Sequence, residues 1–288
     1  MPVATLFAVS IALHLYIGAR LVPAFATGGP AALLAALLLA SAVTVPLGLV
    51  ARRLVKPPLA DRLAVAGLYC LGLFSSLFVA TVLRDAALLA VRLVDFVSPG
   101  ELSLAAVSSL SAPAVPLLAL ATTLLGFVNA RRTPRIRTLD IRRGVPPALD
   151  GFTIVQISDL HVGPTIRRRF VARVVQAVNG LQPDVVAITG DLVDGTVAEL
   201  GPEVAPLREL APRLGSYFVS GNHEYYSGVQ PWLDEVTRLG IRVLQNEHVV
   251  IKHGGARLVL AGVSDYSAGH FIASHRSDPV AALAGAPA

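Results

Sequence analysis

Apolar and polar positions follow two regimes along this chain. Up to about residue 130 the apolar residues form long, nearly uninterrupted runs. Beyond it they break into short patches that alternate between strand-like and helix-like spacing. Four runs, at residues 3–22, 31–50, 63–83 and 104–128, reach the roughly 20 residues a helix needs to cross a bilayer core. Gly28-Gly29-Pro30 separates the first run from the second. Arg52, Arg53, Lys56, Pro57 and Pro58 separate the second from the third. Residues 86–98 are apolar apart from Arg92 and Asp95, so they either lengthen the third helix or lie at the interface.

The second regime predicts an alternation of strands and helices. Strands are expected at residues 152–157, 184–189, 216–220, 241–244, 248–252 and 258–263. Helices are expected at 167–178, 199–210 and 231–239. The first of these helices repeats apolar residues at Phe170, Val171, Val174, Val175 and Val178, with Gly180 as a stop. Gly254-Gly255 reads as the turn between the last two strands. Such alternation implies an α/β layered domain that gathers ligands at the carboxyl ends of its strands. The organisation expected is a membrane region over 1–130, a basic linker over 131–149 and a globular domain over 150–288.

Composition sharpens this division. The chain is 54% hydrophobic and only 15% charged, too apolar for an ordinary soluble protein. Residues 1–130 carry seven basic and four acidic side chains. Residues 131–143 carry six arginines against Asp140. Residues 144–288 carry eleven basic and fourteen acidic residues, so the net charge of +5 does not belong to the globular part. A basic collar beside an apolar helix suits anionic lipid headgroups and argues against nucleic acid as the partner. With four spans, the two basic loops share a side, which the positive-inside rule puts in the cytoplasm together with the globular domain.

Ala24-Phe25-Ala26 resembles a signal-peptidase site. No basic residue precedes the first run, however, and three more runs follow, so an uncleaved helix is expected. His14 reads as an incidental interior or headgroup-facing residue. No predicted span carries an acidic residue near its middle, which argues against an ion-coupled transporter. The single cysteine, Cys70, rules out a disulfide framework within the chain and a thiolate metal site.

Three short motifs carry the chemistry. Asp159-Leu160-His161, Gly190-Asp191-Leu192-Val193-Asp194 and Gly221-Asn222-His223-Glu224 each follow a predicted strand. Strand alternation would point Asp159 and His161 to one face, where both could reach one ion. A carboxylate with an imidazole suits Mn, Fe or Zn. Asp191 could bridge two ions, with Gly190 permitting close backbone approach. Asn222 offers an amide oxygen, and His223 beside it could face a substrate. Two divalent ions about 3.5–4 Å apart would acidify a bridging water and hold phosphoryl oxygens for in-line attack. Arg167, Arg168 and Arg169 read either as a phosphate or headgroup site or, more commonly, as a solvated helix face.

On these residues the chain resembles the calcineurin-like metallophosphoesterase superfamily. Its helical N-terminal half is similar to the transmembrane branch, whose bacterial members include proteins grouped with UDP-2,3-diacylglucosamine pyrophosphatases. The resemblance covers about residues 150–265 and implies a two-sheet β-sandwich flanked by helices. It implies Asp159 and His161 on a first metal, Asp191 as the bridge, Asn222 on a second metal and His223 as the group assisting departure of the leaving oxygen. Asp194 and Glu224 would support these ligands from behind. The family carries two further motifs, a later lone histidine and a Gly-His-x-His, which this chain lacks; a C-terminally truncated domain is therefore expected. Gly269-His270 and His275 are the available substitutes.

The function expected is a membrane-anchored, dimetal-dependent phosphohydrolase. Its substrate would be a phosphodiester, phosphomonoester or pyrophosphate, with a lipid-linked ester among the candidates. The alternative is a catalytically incomplete membrane scaffold that retains a partial metal site.

Overall fold

The computed structural model describes residues 2–25, 28–56, 58–100 and 103–287, the side chain of Arg52 excepted. Ala26 of the Ala24-Phe25-Ala26 motif and Pro57 of the expected break lie outside the described residues. The chain divides into two compact units, Met1–Arg132 and Thr133–Ala288.

In the first unit, four helices among the described residues are long and apolar enough to cross a membrane. They are α1 (Val3–Leu21), α2 (Gly28–Leu54), α3 (Leu59–Val97) and α4 (Leu104–Ala130). Leucines such as Leu15, Leu33, Leu39 and Leu125 are exposed on their outer faces, as helices that meet lipid require. Inside, Ile17, Leu21, Leu34, Leu38, Leu77, Val115 and Ala119 form a common core. Helices α2 and α3 meet where a Cβ on Gly48 would overlap the backbone of Gly67, the small-residue contact typical of close helix crossings.

The segment at 86–98 lengthens the third helix: α3 runs unbroken for 39 residues, about 58 Å at 1.5 Å per residue. Its continuation brings Arg84 and Asp85 into the helix interior. Asp85 Oδ2 accepts from Tyr16 Oη at 2.7 Å and from Arg20 Nε at 2.6 Å. Buried Arg84 donates to Ser111 Oγ at 2.9 Å and to Ser108 O at 3.1 Å. These bonds tie α1, α3 and α4 together. His14 is an interior residue: its Nδ1 lies 2.7 Å from Ser10 O, its Nε2 lies 2.9 Å from Ser41 Oγ, and its ring stacks on Phe74.

The second unit is an α/β domain with two sheets. The strands β1 (Ile154–Ile157), β2 (Val185–Thr189), β3 (Ser216–Val219) and β4 (Arg242–Val243) form a parallel sheet in the order β1-β2-β3-β4. Helix α5 (Arg168–Gly180) connects β1 to β2. Helix α6 (Val197–Val204) and a 3-10 turn, Ala205–Glu209, connect β2 to β3. Two helices, α7 (Asn222–Tyr226) and α8 (Val229–Arg238), connect β3 to β4. The hairpin β5 (Glu247–His253) and β6 (Ala256–Gly262) makes the antiparallel sheet.

The strand period of two divides the packing. Ile157, Val186, Ile188 and Phe218 face a core shared with Val171, Val175, Leu200, Trp232 and Val236 of the helices. Val185, Tyr217 and Val219 face the other way, against Val249, Ile251, Leu258 and Leu260 of the hairpin. After β6 come α9 (Ala268–Phe271) and α10 (Pro279–Leu283), the latter capped by Asp278 as its sequence suggests.

Two expectations change in detail. The helix foreseen at 199–210 starts earlier, because Thr196 and Glu199 form a capping box, and then tightens into the 3-10 turn. The third motif is not a plain loop: Asn222 opens the short helix α7.

Candidate metal centre

All three motifs stand at the carboxyl ends of neighbouring parallel strands, and backbone hydrogen bonds join the loops of the first two. Asp159 N donates to Gly190 O at 3.2 Å, His161 N to Asp191 O at 3.0 Å and Val162 N to Leu192 O at 2.8 Å. A Cβ on Gly190, which has φ +81°, would overlap the backbone of Gly221, and a Cβ on Gly221 would overlap the Asp191 carboxylate. The two glycines thus allow the second and third loops to touch.

Three of the acidic and imidazole residues adopt left-handed backbone: Asp159 (φ 56°), His161 (φ 46°) and Asp191 (φ 51°). That conformation costs a non-glycine residue about 1–3 kcal/mol and persists only where the surroundings enforce it. It also corrects the strand-alternation argument. Asp159 and His161 do converge, but beyond the end of β1, through two left-handed turns and not through the pleat.

The convergence is close. His161 Nε2 lies 3.8 Å from Asp159 Oδ1 and 3.8 Å from Asp191 Oδ2. Ligand atoms of Asp159, His161 and Asp191 all fall within 4.8 Å of one another. Ser158 Oγ hydrogen-bonds to Asp159 Oδ2, leaving Oδ1 toward the cluster. Asn222 donates through Nδ2 to Tyr226 Oη at 3.3 Å. The other amide atom of Asn222 faces Asp191, 3.0 Å from Oδ1 and 3.2 Å from Oδ2; turned over, the amide donates its NH2 to that carboxylate and accepts from Tyr226 Oη. The side chain can thus serve the Asp191 carboxylate as an NH2 donor or, with a cation between them, turn its oxygen to the ion. This donor set of oxygens and one imidazole fits a divalent transition metal.

Asp194 joins both imidazoles. Its Oδ1 lies 3.0 Å from His161 Nδ1 and 2.6 Å from His223 Nδ1. His161, Asp194 and His223 also group tightly enough to be considered as ligands. The contacts are of hydrogen-bond length, however, and they engage the Nδ1 atoms. With Nδ1–H donated to a carboxylate, each ring keeps Nε2 as its lone-pair nitrogen. Burial works to lower the His161 pKa, but the hydrogen bond to Asp194 and the charges of Asp194, Asp191 and Asp159 outweigh it, so the net shift is upward from 6.5.

Glu224 is fully buried. It accepts four backbone N–H groups, those of Gly221 (2.7 Å), Leu192 (2.8 Å), Asp191 (3.0 Å) and Val193 (3.3 Å). Burial pushes its pKa up; the backbone donors pull it down without reversing the shift, and the Asp191 charge adds to the rise. The Trp232 indole, also buried, donates to Gly195 O at 2.9 Å and fixes the end of the same loop from α8.

Of the substitute histidines, His275 places Nδ1 3.0 Å from Tyr225 Oη and 3.3 Å from Gln245 Nε2. Neither it nor His270 joins a metal-compatible group among the described residues. Arg167 pairs with Glu203 at 3.3 Å, and Arg168 Nη1 donates to Pro202 O, so these two arginines lie on an exposed helix start tied to α6. The residue that sequence reasoning passed over is Tyr226. Its spacing of four from Asn222 is one helical turn, a signal visible only once α7 is recognised.

The calcineurin-like phosphoesterase family profile matches residues 152–276. A "Transmembrane protein with metallophosphoesterase domain" from Bos taurus is 41% identical over 163 residues, covering 53% of this chain and 37% of the relative. Its counterpart from Danio rerio is 40% identical over 148 residues, covering 50% of this chain and 34% of the relative. An "Uncharacterized metallophosphoesterase" from Aquifex aeolicus is 42% identical over 112 residues, covering 39% of this chain and 42% of the relative. The matched part of the chain thus spans little more than a third of its vertebrate relatives' length. No solved structure matches at a significant level. Residues 152–276 of the chain are thus similar to calcineurin-like metallophosphoesterase domains.

Proposed function

We propose that this chain is a membrane-anchored, metal-dependent phosphoesterase that hydrolyses a phosphodiester, phosphomonoester or pyrophosphate. The observation that carries this reading is the meeting of Asp159, His161 and Asp191 within 4.8 Å, with the Asn222 side-chain amide 3.0 Å from Asp191. Asp159, His161 and Asp191 would hold one divalent ion, and Asp191 with Asn222 a second. Mn, Fe and Zn all suit the donor set. Such ions supply Lewis acidity toward phosphoryl oxygens and a water nucleophile at neutral pH.

The chain's own residues do the rest. Asp194 holds His161 in the tautomer that offers Nε2 to the centre. The same oxygen holds His223 Nδ1, so His223 in its protonated, imidazolium form would pass the Nε2 proton to the departing oxygen and be left as the neutral ring, Nδ1–H still donated to Asp194. Glu224 keeps the second and third loops in contact, which fixes Asp191 against Asn222. The four apolar helices and the arginines at 131–143 favour a substrate at the bilayer surface, such as a lipid-linked phosphodiester or pyrophosphate. The same charges favour a multi-pass arrangement with the domain in the cytoplasm.

The test is manganese-dependent hydrolysis of bis(p-nitrophenyl) phosphate by the full chain in detergent. Turnover that needs the metal and disappears in Asp191→Ala supports the assignment. Equal turnover in the variant overturns it. A second reading, a metal-binding scaffold without turnover, is favoured by the placement of His270 and His275 outside the metal-compatible groups. It expects one bound metal ion or none per chain, and no hydrolysis.

A further inference from the structure

Outward from the metal centre the side chains change from ionisable to aromatic. The His161 and His223 rings meet edge to face at 4.5 Å. The His223 ring meets Tyr226 at 5.4 Å, and Tyr226 meets Phe271 at 5.5 Å with an interplanar angle of 71°. Tyr226 is 63% exposed and Phe271 46%. Two rings set near a right angle and both open to solvent form a corner with one aromatic face and one aromatic edge. It adjoins the imidazole that would serve the leaving oxygen.

The corner is held firmly. Tyr226 Oη is tied to Asn222 at 3.3 Å. Phe271 lies at 5.5 Å from the ring of buried Tyr225. The Tyr225 hydroxyl contacts His275 Nδ1 at 3.0 Å and Ser220 Oγ at 3.4 Å. His275 thus has a part that the metal reading left open, which is to brace Tyr225 behind Phe271. Pre-set aromatic surface binds a ring or chain with little ordering cost.

We propose that Tyr226 and Phe271 form the leaving-group subsite, and that the substrate carries an apolar body, ring or chain, next to the scissile phosphoryl oxygen. This rests on the proposed phosphoesterase reading, with His223 on the leaving-group side. An apolar group laid in the corner covers exposed ring surface. A phosphoryl group with only a small substituent leaves it bare. The residues select by binding and take no part in bond cleavage.

Phosphonates test this without turnover. Methyl-, phenyl- and octylphosphonate are titrated calorimetrically into manganese-loaded full chain. Phenylphosphonate should bind about tenfold tighter than methylphosphonate, an aromatic-contact effect. That preference should collapse to about twofold or less in Phe271→Ala and Phe271→Leu and persist in Tyr226→Phe, which keeps both rings. Octylphosphonate identifies the source of the apolar body. A greater gain for octyl than for phenyl marks an acyl chain, and the reverse marks a planar ring; either order supports the subsite. Equal binding of all three to the native chain overturns the subsite and leaves the metal reading standing, as does an undiminished preference in Phe271→Ala. Failure of all three to bind in the presence of manganese overturns the metal reading, and the subsite with it.

Discussion

The fully buried carboxylate of Glu224 accepts the backbone N–H of Asp191 at 3.0 Å. An acidic side chain thus holds in place the loop that presents another. The same carboxylate takes the N–H groups of Leu192, Val193 and Gly221, so a single side chain satisfies donors from two strand ends. Glu224→Ala would leave these donors unpaired in a closed interior, where each costs about 1–3 kcal/mol. We expect the metal-free variant to melt roughly 10 °C lower, from a net loss of about 3 kcal/mol or more. A thermal melt followed by circular dichroism checks this. A shift under about 2 °C would mean water replaces the carboxylate.

Gly221 and Gly190 make a separate prediction. A methyl group on Gly221 meets the Asp191 carboxylate, and one on Gly190 meets the Gly221 backbone in a left-handed conformation. Gly221→Ala should weaken manganese binding more than it lowers stability, because its clash is with the carboxylate proposed to bind the metal. Gly190→Ala should lower both, by about 2 kcal/mol or more in stability. Denaturant unfolding and manganese titration by electron paramagnetic resonance, run on both variants, separate the two effects.

Asp194→Asn removes the charge shared by His161 and His223 while keeping the shape. Carboxylates behind a ligating imidazole are worth about 10–100-fold in activity or metal affinity. Because His223 also depends on Asp194, at 2.6 Å, the larger loss should fall on kcat. Steady-state kinetics at saturating manganese decide it. An unchanged kcat would show that the carboxylate only fills space.

The upward shift of His161 gives a pH dependence with a definite sign. A group whose folded pKa exceeds its unfolded value adds stability at low pH. For His161 that contribution is complete below 6.5 and is lost as the pH rises through its folded value. A metal ion competes with protons for the same ring. Between pH 6 and pH 8, metal-free protein should therefore lose stability relative to His161→Asn, whereas its apparent manganese affinity should rise. Melting curves in EDTA and calorimetric titrations at both pH values measure the two trends. A manganese affinity that stays flat over this range would remove His161 from the centre.

Much of this was legible in the sequence because it is local. β-branched runs marked β1, β2 and β3, and the motifs at their ends followed directly. Unbroken apolar runs marked four helices, the third run reaching Leu83, where Arg84 and Asp85 interrupt it before residues 86–98. Those charges stay inside α3 because Tyr16, Arg20, Ser108 and Ser111 satisfy them from other helices. That compensation is tertiary and invisible in a one-dimensional pattern. The left-handed backbone at Asp159 and His161 was hidden for the same reason. Hydrogen bonds to Gly190 and Asp191, some thirty residues away, hold it. The roles of Asp194, Glu224 and Tyr225 depend on which loops the sheet order brings together.

The central claim is that Asp159, His161, Asp191 and Asn222 form one metal centre with Asp191 common to both ions. Elemental analysis tests it most directly. The full chain would be stripped with chelator, reloaded with manganese and passed through a desalting column. The account expects about two equivalents of manganese in the native chain and, because both positions lose a ligand together, close to none in Asp191→Ala. Native protein that retains no metal, or an Asp191→Ala variant that retains as much as native, would contradict it.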